Sequence, residues 1–163
     1  MNIEDLFQLG MDRLIIPASP LAQEGDVCLN LGAGNKVIPR AIALDLPEWD
    51  ADSMKIPHIS SSVDHIYAFH FLEHVADPVG VLRECQRVLK PGGTIHIVVP
   101  YYTSQMQAHD LYHKHVFCEE TWRNLFSTPY YERGFSWQLE IGLNIIIGIV
   151  ERNLCLMTQL HKV

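Results

Sequence analysis

Val27-Cys28-Leu29-Asn30-Leu31-Gly32-Ala33-Gly34-Asn35 is the stretch on which the fold turns. Its apolar run shows little alternation and reads as a strand covered on both faces. The run breaks into two glycines set two apart. Eleven positions past Gly34, the short run Ala41-Ile42-Ala43-Leu44 ends in Asp45. In an open α/β sheet this pairing builds a nucleoside site. The first strand delivers a glycine turn that lets a ligand approach the backbone. The second delivers a carboxylate to the ribose hydroxyls. A Gly-x-Gly alone is a weak signal, so the flanking sequence decides.

On the N-terminal side, Glu24-Gly25-Asp26 reads as a turn. Residues 3–14, with Ile3, Leu6, Phe7, Leu9 and Leu14 apolar, read as a lead-in helix stopped by Pro17 and Pro20. On the other side, 35–40 is too short for a full crossover helix, which with its loops takes about a dozen residues. It is either a single helical turn or a loop. A strand follows over 41–45, then a polar stretch at 50–57 with a brief strand before it. Ser60-Ser61-Ser62 marks a surface turn, and 63–69 a further strand.

Asp77 and Pro78 open the clearest helix. The aspartate caps it, and proline at the first helical position loses no hydrogen bond. Val81, Leu82, Cys85, Val88 and Leu89 follow at helical spacing, and Pro91-Gly92-Gly93 stops the helix. A β-branched strand over 94–99 ends at Pro100. The Tyr- and His-rich segment 101–117 reads as a long loop, and 119–126 as a helix with Trp122, Leu125 and Phe126 inward. Period-two spacing of Phe135, Trp137, Leu139, Ile141 and Leu143, a turn at Glu151-Arg152-Asn153 and a return over 154–160 predict a terminal antiparallel hairpin.

The expected architecture is one α/β domain over 1–163 with a doubly wound, Rossmann-like, mostly parallel sheet. Residues 1–25 form a lead-in, 26–100 a cofactor-binding core, 101–134 an acceptor-side loop and helix, and 135–163 the hairpin. A length of 163 residues suits one domain. A net charge of −7 excludes a nucleic-acid backbone as partner, since that requires a basic face. Cys28, Cys85, Cys118 and Cys155 form no Cys-x-x-Cys pair, which argues for a reducing, cytoplasmic setting. The N-terminus has no basic segment of the secretory kind. Residues 141–150 are too short for a membrane span and are interrupted by Gly142, Asn144 and Gly148, so no membrane association is expected and 145–150 reads as core.

Several blocks in order resemble a known family. They are Leu29-Asn30-Leu31-Gly32-Ala33-Gly34, Asp45, Asp52 before Ile56-Pro57, Val63-Asp64, Leu72-Glu73-His74-Val75, Leu82-Arg83-Glu84 and Arg87-Val88-Leu89-Lys90-Pro91-Gly92-Gly93. Over residues 26–100 the chain resembles the class I S-adenosylmethionine-dependent methyltransferases, in their small-molecule branch. His113-Lys114-His115-Val116-Phe117 is a fainter echo of members linked to sugar modification. The resemblance implies S-adenosylmethionine as cofactor. Gly32 and Gly34, with Asn30 and Ala33, would pass under its methionyl part. Asp45, with Leu46, would hold the ribose hydroxyls, and Asp52 would accept from the adenine amino group with Ser53 and Met54 flanking the ring. Phe69 and His70 would border the methionine portion. The chain departs from the family pattern in three places: Asn30 stands where an acid is usual, Asn35 replaces a third glycine, and the first helix is nearly absent.

Methyl transfer from a sulfonium needs an acceptor held in line and a base only if the acceptor arrives protonated. His109, His113 and His115 cluster at the carboxyl edge of the sheet beside Tyr101, Tyr102 and Tyr112, an expected acceptor pocket. His113 is the candidate base, its alternative being a structural hydrogen bond to the following helix. No metal site is expected, because the histidines fall on a loop with only Asp110 near, and the resemblance explains His70 and His74 without an ion. Asp64 reads as structural. The expected acceptor is a small molecule or saccharide, methylated on oxygen or nitrogen, with a second subunit of a homodimer completing the pocket. The competing class is a shortened, non-catalytic binding or regulatory domain of the same fold. A nicotinamide dehydrogenase does not fit: the third glycine is missing and Pro91-Gly92-Gly93 would have no role.

Overall fold

The computed structural model describes residues 22–127, 137–144 and 155–163. The strands are β1 (Cys28–Leu31), β2 (Ala41–Leu44), β3 (Val63–Phe69), β4 (Leu89–Pro100), β5 (Trp137–Asn144) and β6 (Cys155–Lys162). The helices are α1 (Pro78–Val88), α2 (Gln105–His109) and α3 (Glu119–Ser127). One sheet runs in the order β2-β1-β3-β4-β6-β5. The first four of these strands are mutually parallel. β6 pairs antiparallel with β4, and β5 antiparallel with β6. This is the Rossmann-like mixed sheet with a C-terminal antiparallel hairpin. Among the described residues the β1–β2 and β2–β3 connections carry no helix, so 35–40 is a loop.

Strand residues alternate between two packed faces. Leu29, Leu31, Ile66, Ala68, Ile95, Ile97, Val99, Leu156 and Leu160 meet Val81, Leu82, Cys85 and Val88 of α1 in the main core. Cys28, Tyr67, Phe69, Val98 and Cys155 form a second cluster with Ala22 and Ile38. Burial on both sides explains why β1, β3 and β4 read as near-continuous apolar runs. Each fully buried Leu or Ile contributes about 1.5–3 kcal/mol.

Asp77 caps α1 by accepting from Gly80 N at 2.9 Å, with Pro78 at the first turn. The helix ends at Val88, and the strand starts earlier than the sequence suggests. Leu89 already pairs with Val63, and the register then shifts so that His65 faces Thr94. Pro91-Gly92-Gly93 therefore makes an irregular step within β4, with Gly92 at φ +80°. Here Lys90 Nζ reaches both Asp64 oxygens at 2.8 Å, and Asp64 also accepts from Val27 N.

No strand precedes 50–57. Trp49 N donates to Asp45 O, and its indole donates to Lys55 O at 3.2 Å, so the segment closes into turns. The loop 101–117 contains α2, capped by the Ser104 hydroxyl. In α3, Trp122 and Leu125 are buried as the spacing predicts. The lead-in helix, residues 145–150, the turn at 151–153, Phe135 and the side chain of Phe126 lie outside the described residues. Among the described residues no helix is long and apolar enough to cross a membrane.

Candidate functional site

β1 and β2 finish side by side, tied by Gly32 N donating to Leu44 O at 2.9 Å. Gly32 lies at φ +62° and Gly34 at φ +50°, a left-handed backbone that costs other residues about 1–2 kcal/mol. A Cβ on Gly32 would also fall 2.3 Å from the Phe71 ring. Asp45 stands at the end of β2. Its carboxylate accepts from Gly34 N and from Leu46 N, the latter at 2.8 Å. A carboxylate offers about four lone-pair positions, so two backbone bonds fix its orientation and leave capacity toward a ligand.

A cleft of about 250 Å³ opens here, lined by Gly32, Asp45, Leu46, Trp49, Asp52 and Phe71 and also by His70 and His74. Asp52 accepts from Ala76 N at 2.7 Å and lies 3.4 Å from Lys114 Nζ. Asp50 also lines the cleft. The Asp52 N–H and the Ser53 hydroxyl hold its carboxyl below the ordinary value. Trp49, Asp50 and Phe71 are cleft residues that the sequence reading did not single out, and His74, quoted there only within the resemblance, also lines the cleft.

The other expected cofactor residues sit differently. Asn30 is buried, and its amide donates to Lys36 O at 3.0 Å, pinning the loop after the glycines. Ala33 is buried, and Gly34 contributes its N–H to Asp45. The Ser53 hydroxyl donates to Asp50, and Met54 is exposed; neither lines the cleft. Phe69 packs in the second cluster near Tyr67.

A second cavity of about 210 Å³ shares His70 and His74 with the cleft and adds Lys36, Glu73, Met106, His109, Asp110 and His113. Glu73 is completely buried. Its Oε1 lies 3.4 Å from His70 Nδ1, yet neither oxygen makes a hydrogen bond among the described residues. Burial draws the Lys36 ammonium below its ordinary value, with Glu73 opposing the shift. The His113 ring meets His74 edge-on at 4.7 Å. His113 Nδ1 lies 3.3 Å from Gln107 O, and Nε2 lies 3.6 Å from Asp110 Oδ2. The His113 loop is stitched to the 72–75 turn: Lys114 N and His115 N both donate to Glu73 O, and His115 Nε2 donates to Val75 O at 2.9 Å.

The tyrosines are elsewhere. Tyr101 donates to Glu119 at 3.0 Å, and Tyr102 and Tyr112 are exposed. A larger cavity of about 580 Å³ lies between α1 and α3, lined in part by Leu82, Phe117, Trp122 and Leu125, and touches none of the glycine-turn residues. Two chambers that share His70 and His74 as lining residues thus lie at the carboxyl edge of the parallel strands. One is walled by backbone, carboxylates and aromatic rings. The other is lined by ionisable side chains. The first suits a nucleoside, and the second a polar group beside it.

Comparison with known proteins agrees with this geometry. Residues 27–97 match the model of a methyltransferase domain family. Cycloartenol-C-24-methyltransferase 1 of Oryza sativa subsp. japonica is 35% identical over 66 residues, covering 40% of this chain and 19% of that protein. Matched segments span only 15 to 24% of the curated relatives' own lengths. A methyltransferase solved in complex with the Haloferax volcanii Trm112 methyltransferase activator superposes with TM-score 0.65 at 23% identity, covering 88% of this chain and 85% of that one. Haemonchus contortus phosphoethanolamine N-methyltransferase 2, solved with S-adenosyl-L-methionine, gives TM-score 0.62 at 12% identity, covering 88% and 50%. These structural likenesses show the fold.

Proposed function

We propose that the chain is a class I S-adenosylmethionine-dependent methyltransferase that methylates a small-molecule or sugar-like acceptor on oxygen or nitrogen. The observation that supports this reading is the adjacency of the Gly32–Asp45 cleft and the Glu73–His113 cavity, which share His70 and His74. The residues fit the cofactor. Gly32 presents backbone without a side chain, and Asp45 is an oriented carboxylate with free acceptor capacity.

In this reading Asp45 binds the ribose hydroxyls and Asp52 the adenine amino group. Trp49 and Phe71 bound the ring, and His70 borders the methionine portion. S-adenosylmethionine supplies an already activated methyl group on a sulfonium. The chain's own task is to hold the acceptor in line and, for a protonated acceptor, to take up or stabilise its proton next to His113. A second subunit completes the acceptor side; full activity from a monomer would remove that part.

The test is calorimetric binding of S-adenosylhomocysteine, followed by transfer from labelled S-adenosylmethionine across a panel of hydroxyl and amine acceptors. One binding equivalent and a labelled product are expected. Binding without any product from the panel would favour a non-catalytic domain, and no binding would end the cofactor assignment.

A further inference from the structure

We propose that Glu73, His74 and His113 form a divalent transition-metal site that seats the acceptor beside the methyl donor. The proposal rests on the methyltransferase reading for its role in catalysis, but the site itself stands on geometry. One donor atom from each residue, a carboxylate oxygen and two imidazole nitrogens, lies within 4.8 Å of the others. An ion about 2.1 Å from each donor spaces its ligands by up to about 4.2 Å. Side-chain shifts below about 1 Å therefore close the set.

The independent observation is the state of Glu73. A fully buried carboxylate with neither oxygen hydrogen-bonded is costly unless a charge or an ion answers it. Glu73 also lines the cavity that His74 and His113 share. His70 Nδ1 lies 3.4 Å from one Glu73 oxygen, and Lys36 lines the same cavity.

The supporting structure is that of a built ligand set. His113 Nδ1 faces the Gln107 carbonyl, and a proton held there leaves Nε2, which lies 3.6 Å from Asp110 Oδ2, as the lone-pair nitrogen. His113 is 39 positions past His74. Lys114 N and His115 N hold it in place by donating to the carbonyl of Glu73 itself, at 2.7 and 3.3 Å. The backbone of one ligand thus positions another. Two imidazoles and one carboxylate suit zinc or manganese and leave positions for an exogenous oxygen.

The chamber borders the nucleoside cleft through His70 and His74, so an acceptor hydroxyl bound to the ion stands near the methyl donor. The ion lowers the hydroxyl pKa, and the proton leaves to solvent through the cavity mouth. The oxygen then forms its bond to the methyl carbon as the carbon–sulfur bond breaks. The electron pair stays on sulfur, giving S-adenosylhomocysteine and a methyl ether. His113 is thereby a ligand rather than the base, and the acceptor class narrows to hydroxyl compounds.

The experiment strips the full chain with chelator and titrates cobalt(II), read by its visible absorption and by bound metal after dialysis. S-adenosylhomocysteine affinity is measured in parallel. Wild type should take up one equivalent. His113→Asn, on the loop, and the near-isosteric Glu73→Gln should each weaken uptake at least about tenfold while keeping wild-type circular dichroism. His113→Asn should retain S-adenosylhomocysteine binding. No uptake by wild type, leaving Lys36 and His70 as the answer to Glu73, overturns the proposal, as does unchanged uptake in both variants. Cobalt uptake without S-adenosylhomocysteine binding would keep the metal site and remove the methyltransferase reading.

Discussion

The Asp45 carboxylate accepts the backbone N–H of Gly34, so the acid closing β2 is fastened to the glycine turn leaving β1. Its second backbone bond, to Leu46 N, fixes the other oxygen. Asp45→Ala removes both and leaves two N–H groups to find water. Stability should fall by about 1–2 kcal/mol in urea unfolding. Affinity for S-adenosylhomocysteine should fall at least about tenfold by calorimetry, the scale of one charge-assisted hydrogen bond. Wild-type affinity in the variant would take the ribose assignment away.

The two glycines should answer differently to alanine. At Gly34 a Cβ meets only Asp45 Oδ2, 4.0 Å away, so the cost is the left-handed backbone alone, about 1–2 kcal/mol. At Gly32 the same backbone cost adds to a collision with the Phe71 ring, worth about 1–3 kcal/mol more. Gly32→Ala should therefore lose roughly twice as much stability as Gly34→Ala. Because Phe71 lines the cleft, it should lose S-adenosylhomocysteine binding as well. Equal unfolding midpoints would contradict the close packing.

Local chemistry was legible where a residue acts on its own neighbours. Asp77 and Pro78 announce α1 because a cap and a first-turn proline act within four positions. Gly32, Gly34 and Asp45 announce the cleft because consecutive parallel strands set them side by side. The start of β4 was hidden because Pro91-Gly92-Gly93 usually separates elements, whereas here pairing of Leu89 with Val63 carries the strand through it. The meeting of Glu73 and His74 with His113 was hidden for another reason. Backbone donors at Lys114 and His115 make the tether, and side-chain identity carries no trace of it.

Two carboxylates should govern the acid limb of stability. At Asp64 burial alone would raise the carboxyl, but Lys90 and the Val27 N–H outweigh it and hold it low. At Glu84 the hydrogen bonds from Arg87 hold it low against burial. A carboxyl depressed in the folded chain stabilises fully above its unfolded value, near 3.8 for Asp64 and 4.5 for Glu84, and the gain is lost as pH falls below it. Urea midpoints measured from pH 6 to pH 2.5 should thus fall less steeply below about pH 4.5 in Asp64→Asn and Glu84→Gln than in wild type. Parallel curves would show that neither pair matters.

Arg87 should matter beyond this charge. Its guanidinium donates to Glu84, to His58 O at 2.9 Å and to Ile56 O at 3.0 Å, holding the loop before β3 on α1. Arg87→Met keeps the aliphatic stem and strands two carbonyls and a carboxylate. A loss of about 1–3 kcal/mol is expected in urea unfolding. A shift below about 0.5 kcal/mol, the range of an ordinary surface change, would mean that water serves these carbonyls equally well.

His96 should control stability in the window above the carboxylates. It lies on β4, buried, with Gln159 Nε2 3.1 Å from its Nδ1 and His65 Nδ1 3.3 Å from its Nε2. The rings of Tyr67 and His65 stack at 5.1 and 5.5 Å. Burial first, then the neighbouring His65 and His161, push its pKa down to about 3. In the unfolded chain it titrates near 6.5. The folded protein therefore holds His96 neutral where the unfolded chain is protonated. The stabilisation is complete above pH 6.5 and is lost as pH falls from there toward 3. The slope is at most about 1.4 kcal/mol per pH unit. His96→Gln keeps a polar group on the same strand and removes the titration. Between pH 6.5 and pH 4.5 the variant's unfolding free energy should decline more slowly than wild type's, so the gap between them narrows on acidification. If the two decline in parallel, His96 is protonated in the folded chain and its neighbours accommodate the charge.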